Sequence, residues 1–198
     1  MAIAYIVSRF KWVLCQLEAL QNCLPRNIRR TLEELPETLD ETYERVLKRI
    51  GKANQAQVHQ LLQCLTVASR SLRVEELAEI FALDFDGSAD GIPTLNTNWR
   101  SDDQQKTILS ACLRLIVVVN EDNVRAVKFA HFSVKEFLTS HRLANLTGGV
   151  SHYHIRLESA HAIIAQACLG ILLQLDNNSV DDDGIESKFP LARYAAEY

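Results

Sequence analysis

The chain has 198 residues, of which 47% are hydrophobic, 23% charged and 7% aromatic, with a formal net charge of −4. Seven glycines and four prolines are too few for a linker-like or collagen-like polymer, and the apolar fraction can bury one good core or two small ones, so disorder as the main state is excluded. With 21 Lys and Arg against 25 Asp and Glu, no global bias favours phosphate backbones or anionic membranes.

The start, MAIAYIVSRFKWVLCQLEAL, is apolar but broken by Arg9 and Lys11, which interrupt any signal-peptide core. No window holds the ~18 uninterrupted apolar residues of a membrane span, so a cytoplasmic chain without a membrane partner is expected. Apolar residues Ile6, Val7, Phe10, Val13, Leu14, Leu17 and Leu20 keep helical spacing and predict an amphipathic helix over Ala4–Gln21. The five cysteines, Cys15, Cys23, Cys64, Cys112 and Cys168, are scattered with no C-x-x-C, which reads as free thiols, mostly in the core.

A short helical stretch is expected over 27–35, closed by Pro36. Thr38 and Glu41 then have the capping-box spacing that opens a helix running to about Ile50, with Leu39, Tyr43, Val46, Leu47 and Ile50 inward and Glu44 paired to Lys48 outside. Further helices are predicted over 55–68, with Val58, Leu61, Leu62 and Leu65 inward, and over 74–81, the two separated by a turn at Ser69–Leu72. Residues 84–101, DFDGSADGIPTLNTNWRS, read as the longest loop, a surface insertion.

A helix over 103–113 is followed by the β-branched run Leu115–Val119, a turn at Asn120–Asn123 and the alternating VRAVKFA of Val124–Ala130. Helices 55–68, 74–82 and 103–113 with this hairpin give the order α-α-α-β-β of a winged helix. Another helix is expected over 133–143, a long one over 153–175 after Gly148-Gly149, and a last one from Pro190. The expected organisation is mainly α: a helical segment 1–52, a winged helix 54–143 and a helical segment 150–198.

Winged helices often bind DNA through the third helix and the hairpin. From Asp102 to Ala130, however, Asp102, Asp103, Glu121 and Asp122 balance Lys106, Arg114, Arg125 and Lys128, which argues against nucleic acid as a partner. No P-loop is present, since Gly51-Lys52 is followed by Ala53 and the position five before Gly51 is Val46. No G-x-S-x-G turn or H-E-x-x-H helix occurs either, so no catalytic residue is assigned. A metal role for His152, His154 and His161 is weaker than their reading as histidines at a helix end, and no metal site is assigned.

The segment Phe129–Leu138, FAHFSVKEFL, places His131 between the last strand and the next helix, beside N–H groups that attract anions. A neutral imidazole there can donate to a phosphate oxygen; equally, it can cap the helix and pack on the strand. This segment resembles the one that closes the winged helix of NACHT-type signalling NTPases, the NOD-like receptors (STAND NTPases) and their fungal ankyrin-bearing relatives. FKWVLCQLEALQNC, LPETLDETYERVLKRI, SLRVEELAEIFALD and FPLARYAAEY are also similar to the fungal NACHT–ankyrin proteins after their NTPase core. The winged-helix part further resembles the domain family labelled after a GPI inositol-deacylase.

The resemblance implies a non-catalytic regulatory and relay region for signal transduction. In it, residues 1–52 would follow a NACHT core that this chain lacks, and 150–198 would stop before ankyrin repeats. It also implies that His131 contacts the β-phosphate of ADP when a NACHT nucleotide-binding domain, in the same full-length chain or in trans, holds ADP or ATP. This chain by itself would bind no cofactor. The alternatives are a protein–protein interaction adaptor acting without nucleotide and a DNA-binding winged-helix regulator.

Overall fold

A computed structural model describes residues 24–28, 35–87, 91–121, 123–177 and 184–198. The helix expected over Ala4–Gln21, Cys15, Cys23, most of the stretch 27–35, Asp122 and the acidic run Asp181–Asp183 lie outside the described residues. Helix α1 (Leu39–Lys48) starts where Thr38 accepts the Glu41 N–H at 3.2 Å. The Glu41 carboxylate reaches back one residue further than a standard capping box, to the Glu37 N–H at 2.9 Å. Tyr43, Leu47 and Ile50 are buried, Leu39 and Val46 half-buried, and Lys48 meets Glu44 as the i, i+4 spacing predicts.

The winged helix follows in chain order: α2 (Gln55–Val67), β1 (Leu72–Arg73), α3 (Val74–Phe81), α4 (Gln104–Ala111), β4 (Ile116–Glu121) and β5 (Val124–Phe129). Its sheet is antiparallel in the order β1-β5-β4, with Leu72 opposite Val127 and Ile116 opposite Phe129. Strand β1 corrects the turn expected at Ser69–Leu72. Two residues carry too little alternation to be seen as a strand, and only pairing with β5 makes them one.

The hairpin turn also differs from expectation: pairing continues to Glu121 opposite Val124, which leaves a two-residue loop with Asn123 left-handed at φ 64°. Between α4 and β4 the chain reverses through two left-handed residues, Leu113 at φ 44° and Arg114 at φ 70°.

The expected loop 84–101 is partly ordered into a second hairpin, β2 (Leu83–Asp84) with β3 (Thr94–Leu95), followed by a 3-10 turn at Thr97–Trp99. The expected helix 133–143 is two helices, α5 (Phe132–Leu138) and α6 (His141–Ala144). Ser140 separates them, its hydroxyl donating to the Phe137 carbonyl and accepting the Leu143 N–H. The long helix α7 (Leu157–Asn177) begins later than expected, because Val150–Tyr153 forms a 3-10 turn and Ile155 donates its N–H to the Leu138 carbonyl. Helices α8 (Ile185–Lys188) and α9 (Ala192–Glu197) complete the described chain.

Helix α7 packs along α2 and α9, burying Ala160, Ile164, Ala167 and Ile171. Its stretch Leu157–Leu175, with mean hydropathy 1.3, is long and apolar enough to cross a membrane by length and composition, and one face of it lies in the core. Gly170 in this helix is where the β2–β3 hairpin crosses: a Cβ there would lie 2.4 Å from the Pro93 carbonyl oxygen. Helix propensity alone would make Gly170→Ala stabilising by about 1 kcal/mol. The clash with backbone reverses the sign, and the expected result in urea unfolding is a loss of about 1–3 kcal/mol.

Two buried carboxylates on α3 tie the remaining elements together. Glu76, fully buried, accepts both Arg70 guanidinium nitrogens at 2.8 Å and the Arg73 N–H at 2.8 Å. Arg70 also lies over the Tyr194 ring, 4.9 Å from its centroid, and the Tyr194 hydroxyl accepts the Ser69 N–H. Glu79 accepts the buried Leu191 N–H and an Arg100 nitrogen, each at 2.6 Å, and Arg100 donates as well to the Lys188 carbonyl. The helix pair α8–α9 is thereby fastened to the winged helix.

Candidate functional site

Strand β5 delivers the chain to the sheet edge of α5: the Ala130 N–H closes the sheet on the Leu115 carbonyl at 2.9 Å, and His131 follows in extended conformation as the N-cap of α5. Its Nδ1 accepts the Ser133 backbone N–H at 3.3 Å and lies 2.6 Å from the Ser133 hydroxyl. A ring nitrogen that accepts from a backbone N–H carries no proton, so this hydrogen-bond pattern assigns the neutral imidazole its proton on Nε2. Tyr43, buried in α1, reaches the same serine, its hydroxyl 2.8 Å from Ser133 Oγ.

The structure changes one part of the expectation around His131. The N–H groups of Ser133 and Val134, expected to be available to anions, are taken by His131 itself, through Nδ1 and through its carbonyl at 3.1 Å. Helix α5 spans seven residues, so its dipole contributes little, and the donor at this junction is the imidazole Nε2–H. His131 is therefore both cap and strand-end residue, half-exposed, with the exposed Phe132 ring 4.2 Å away.

Four other histidines gather elsewhere. His59 of α2 lies 4.9 Å from His152, while His154 stacks at 6.5 Å on His141. His161 is exposed on α7, and no group of three His, Cys, Asp or Glu side chains among the described residues is arranged to hold a metal ion. Burial pushes the His59 imidazole down to about 4, helped by the nearby His152. Burial raises the thiols of Cys64, Cys112 and Cys168, with Cys112 pushed up to about 12, so all three stay protonated and unreactive at neutral pH.

On the face that would meet DNA, two of the four cations counted from sequence have carboxylate partners. Arg125 pairs with Glu75 at 2.5 Å and also reaches Gln105, and Lys128 pairs with Glu121 at the hairpin tip. Asp103, from the same face, caps α4 by accepting the Lys106 N–H at 3.0 Å. The balance counted along the sequence is thus also a local one.

The network around Ser133 and the buried Glu76 and Glu79 were not singled out from sequence. A serine two residues after a histidine at a strand–helix junction is the usable signal for the first. No local signal marks Glu79, whose partners lie 21 and 112 residues away, whereas the partners of Glu76, Arg70 and Arg73, are only six and three residues back.

Residues 43–147, from within α1 to just beyond α6, match the family model described as "GPI inositol-deacylase, winged helix domain". The chain belongs to that winged-helix family, in agreement with the mainly α fold and the strand order above. It is 35% identical over 172 residues to the "Azaphilone pigments biosynthesis cluster protein L" of Monascus ruber, covering 84% of this chain and 35% of that protein. It is also 28% identical over 132 residues to the "Vegetative incompatibility protein HET-E-1" of Podospora anserina, covering 65% of this chain and 9% of that protein. The chain therefore spans about a third of one relative and under a tenth of the other. No solved structure gives a significant match.

Proposed function

We propose that the chain is a non-catalytic regulatory region of a NACHT-type signalling NTPase, in which the winged helix relays nucleotide state from a nucleotide-binding domain to the helices after it. The observation that carries this reading is the His131 imidazole, held at the β5–α5 junction with Nδ1 engaged and Nε2 protonated. Such a nitrogen donates to an anionic oxygen without needing a positive charge. Membership of the winged-helix family and the resemblance of the flanking segments to fungal NACHT–ankyrin proteins supply the context in which that oxygen belongs to the β-phosphate of ADP. The carboxylate-paired cations Arg125 and Lys128 of β5 support a protein and nucleotide partner over a nucleic acid.

In a polypeptide that joins this chain to its nucleotide-binding domain, His131→Ala is expected to weaken ADP retention about tenfold, the worth of one hydrogen bond to a charged group. Equal retention of labelled ADP by the two proteins would overturn the reading. Partner binding that ignores both ADP and His131 would point to an adaptor acting without nucleotide. The 198-residue chain itself is expected to turn over no ATP above the His131→Ala control.

A further inference from the structure

The geometry points to Tyr43 as a positioning residue that, through Ser133, fixes the tautomer of His131. This rests on the reading of His131 as a phosphate donor and adds to it a residue from α1, a helix outside the α2–β5 winged-helix order. Along the three side chains each proton has one place to go. His131 Nδ1 accepts the Ser133 backbone N–H at 3.3 Å, so it has no proton to give to the hydroxyl 2.6 Å away. The Ser133 hydroxyl must then be the donor to Nδ1, which uses its single proton. Across the 2.8 Å contact with Tyr43, Ser133 Oγ can therefore only accept, and the Tyr43 hydroxyl donates.

The three groups form a one-way chain of donors, Tyr43 to Ser133 to His131, that ends by placing the imidazole proton on Nε2. Each donation polarises the next hydroxyl, so the chain holds its direction more strongly than one bond alone. Burial protects it: Tyr43 is 4% and Ser133 8% exposed, which keeps water from offering a competing donor. The Tyr43 ring is itself held by Phe137, 5.6 Å away in α5. The position of α1 is thus read out as the presence of a proton on Nε2, an atom that is itself buried, on another element.

The test is the tautomer of His131 in the 198-residue chain, read from long-range proton–nitrogen correlations of histidine-labelled protein at neutral pH, with His131→Ala assigning the signal among the six histidines. The wild type is expected to show the Nε2–H form. Tyr43→Phe removes one oxygen and is expected to lower the ratio of Nε2–H to Nδ1–H about fivefold, the worth of one net hydrogen bond. Ser133→Ala is expected to lower it at least as far, and it carries the test if Tyr43→Phe does not fold. An Nδ1–H form in the wild type, an unchanged ratio in folded Tyr43→Phe, or an unchanged ratio in Ser133→Ala would overturn the positioning role. ADP retention by the His131→Ala protein tests the phosphate reading separately, because the tautomer ratio is measured without nucleotide.

Discussion

Arg70→Met is expected to destabilise the chain by about 3–5 kcal/mol in urea unfolding, the largest single effect the structure implies for a surface-reaching side chain. The methionine keeps most of the aliphatic stem and deletes the guanidinium, which holds Glu76 and lies over the Tyr194 ring. The carboxylate left behind has a fully buried side chain, with the Arg73 N–H at 2.8 Å and the Arg73 guanidinium at 3.8 Å as its remaining company. A buried charge deprived of its main partner costs far more than the pair was worth, since its desolvation is no longer offset. Arg193→Met is the matched control. Its pairs with Glu186 and Glu197 lie in water, so no measurable change is expected. If the two variants unfold alike, the buried fork is not a principal support of α3.

Acid is expected to weaken the fold through His59. Its folded-state value lies at about 4, below the ordinary 6.5, because burial and the neighbouring His152 disfavour the charged ring. Between these values the unfolded chain binds more protons than the folded one, so stability rises with pH across that window. The contribution is complete above pH 6.5 and is lost as pH falls towards 4, a change on the order of 2–3 kcal/mol. Glu79 works in the opposite direction. Burial raises its carboxyl above the ordinary value despite the Leu191 N–H and Arg100, so its contribution improves as pH falls. Comparing the pH dependence of wild type with that of His59→Gln cancels Glu79 and leaves the histidine's share. Parallel curves between pH 4 and 7 would mean that His59 is not held neutral in the fold.

What the sequence made legible was whatever depended on near neighbours. Thr38 and Glu41 announced the start of α1, the repeat of Val58, Leu61 and Leu62 marked the inner face of α2, and the valines before Asn120 marked a strand. His131 was found because its position between a strand and a helix is itself a local pattern. Its partners were not. Ser133 was in view as part of the motif, but Tyr43 meets it across 90 residues. Strand β1 was read as a turn because two residues show no periodicity, and the break at Ser140 was missed because its hydroxyl bonds depend on where α6 goes. Glu76 and Glu79 were not singled out: charged side chains are rarely buried without partners, and while Arg70 and Arg73 lie close to Glu76 in sequence, the partners of Glu79 lie 21 and 112 residues on.

The distance between Glu79 and Leu191 also carries a timetable. Residues 112 apart leave the ribosome roughly 6 to 22 s apart at about 5–20 residues per second. During that interval α3 exists, and the helices α2 and α4 can already close on its Leu77 and Ile80 side, but the carboxylate that will receive the Leu191 N–H has only solvent to face from that direction. The nascent winged helix therefore waits with a hydrated acidic edge on the side later covered by α8 and α9. Its final locking is set by the arrival of Leu191 and the helices around it, and not by the rate at which the sheet zips.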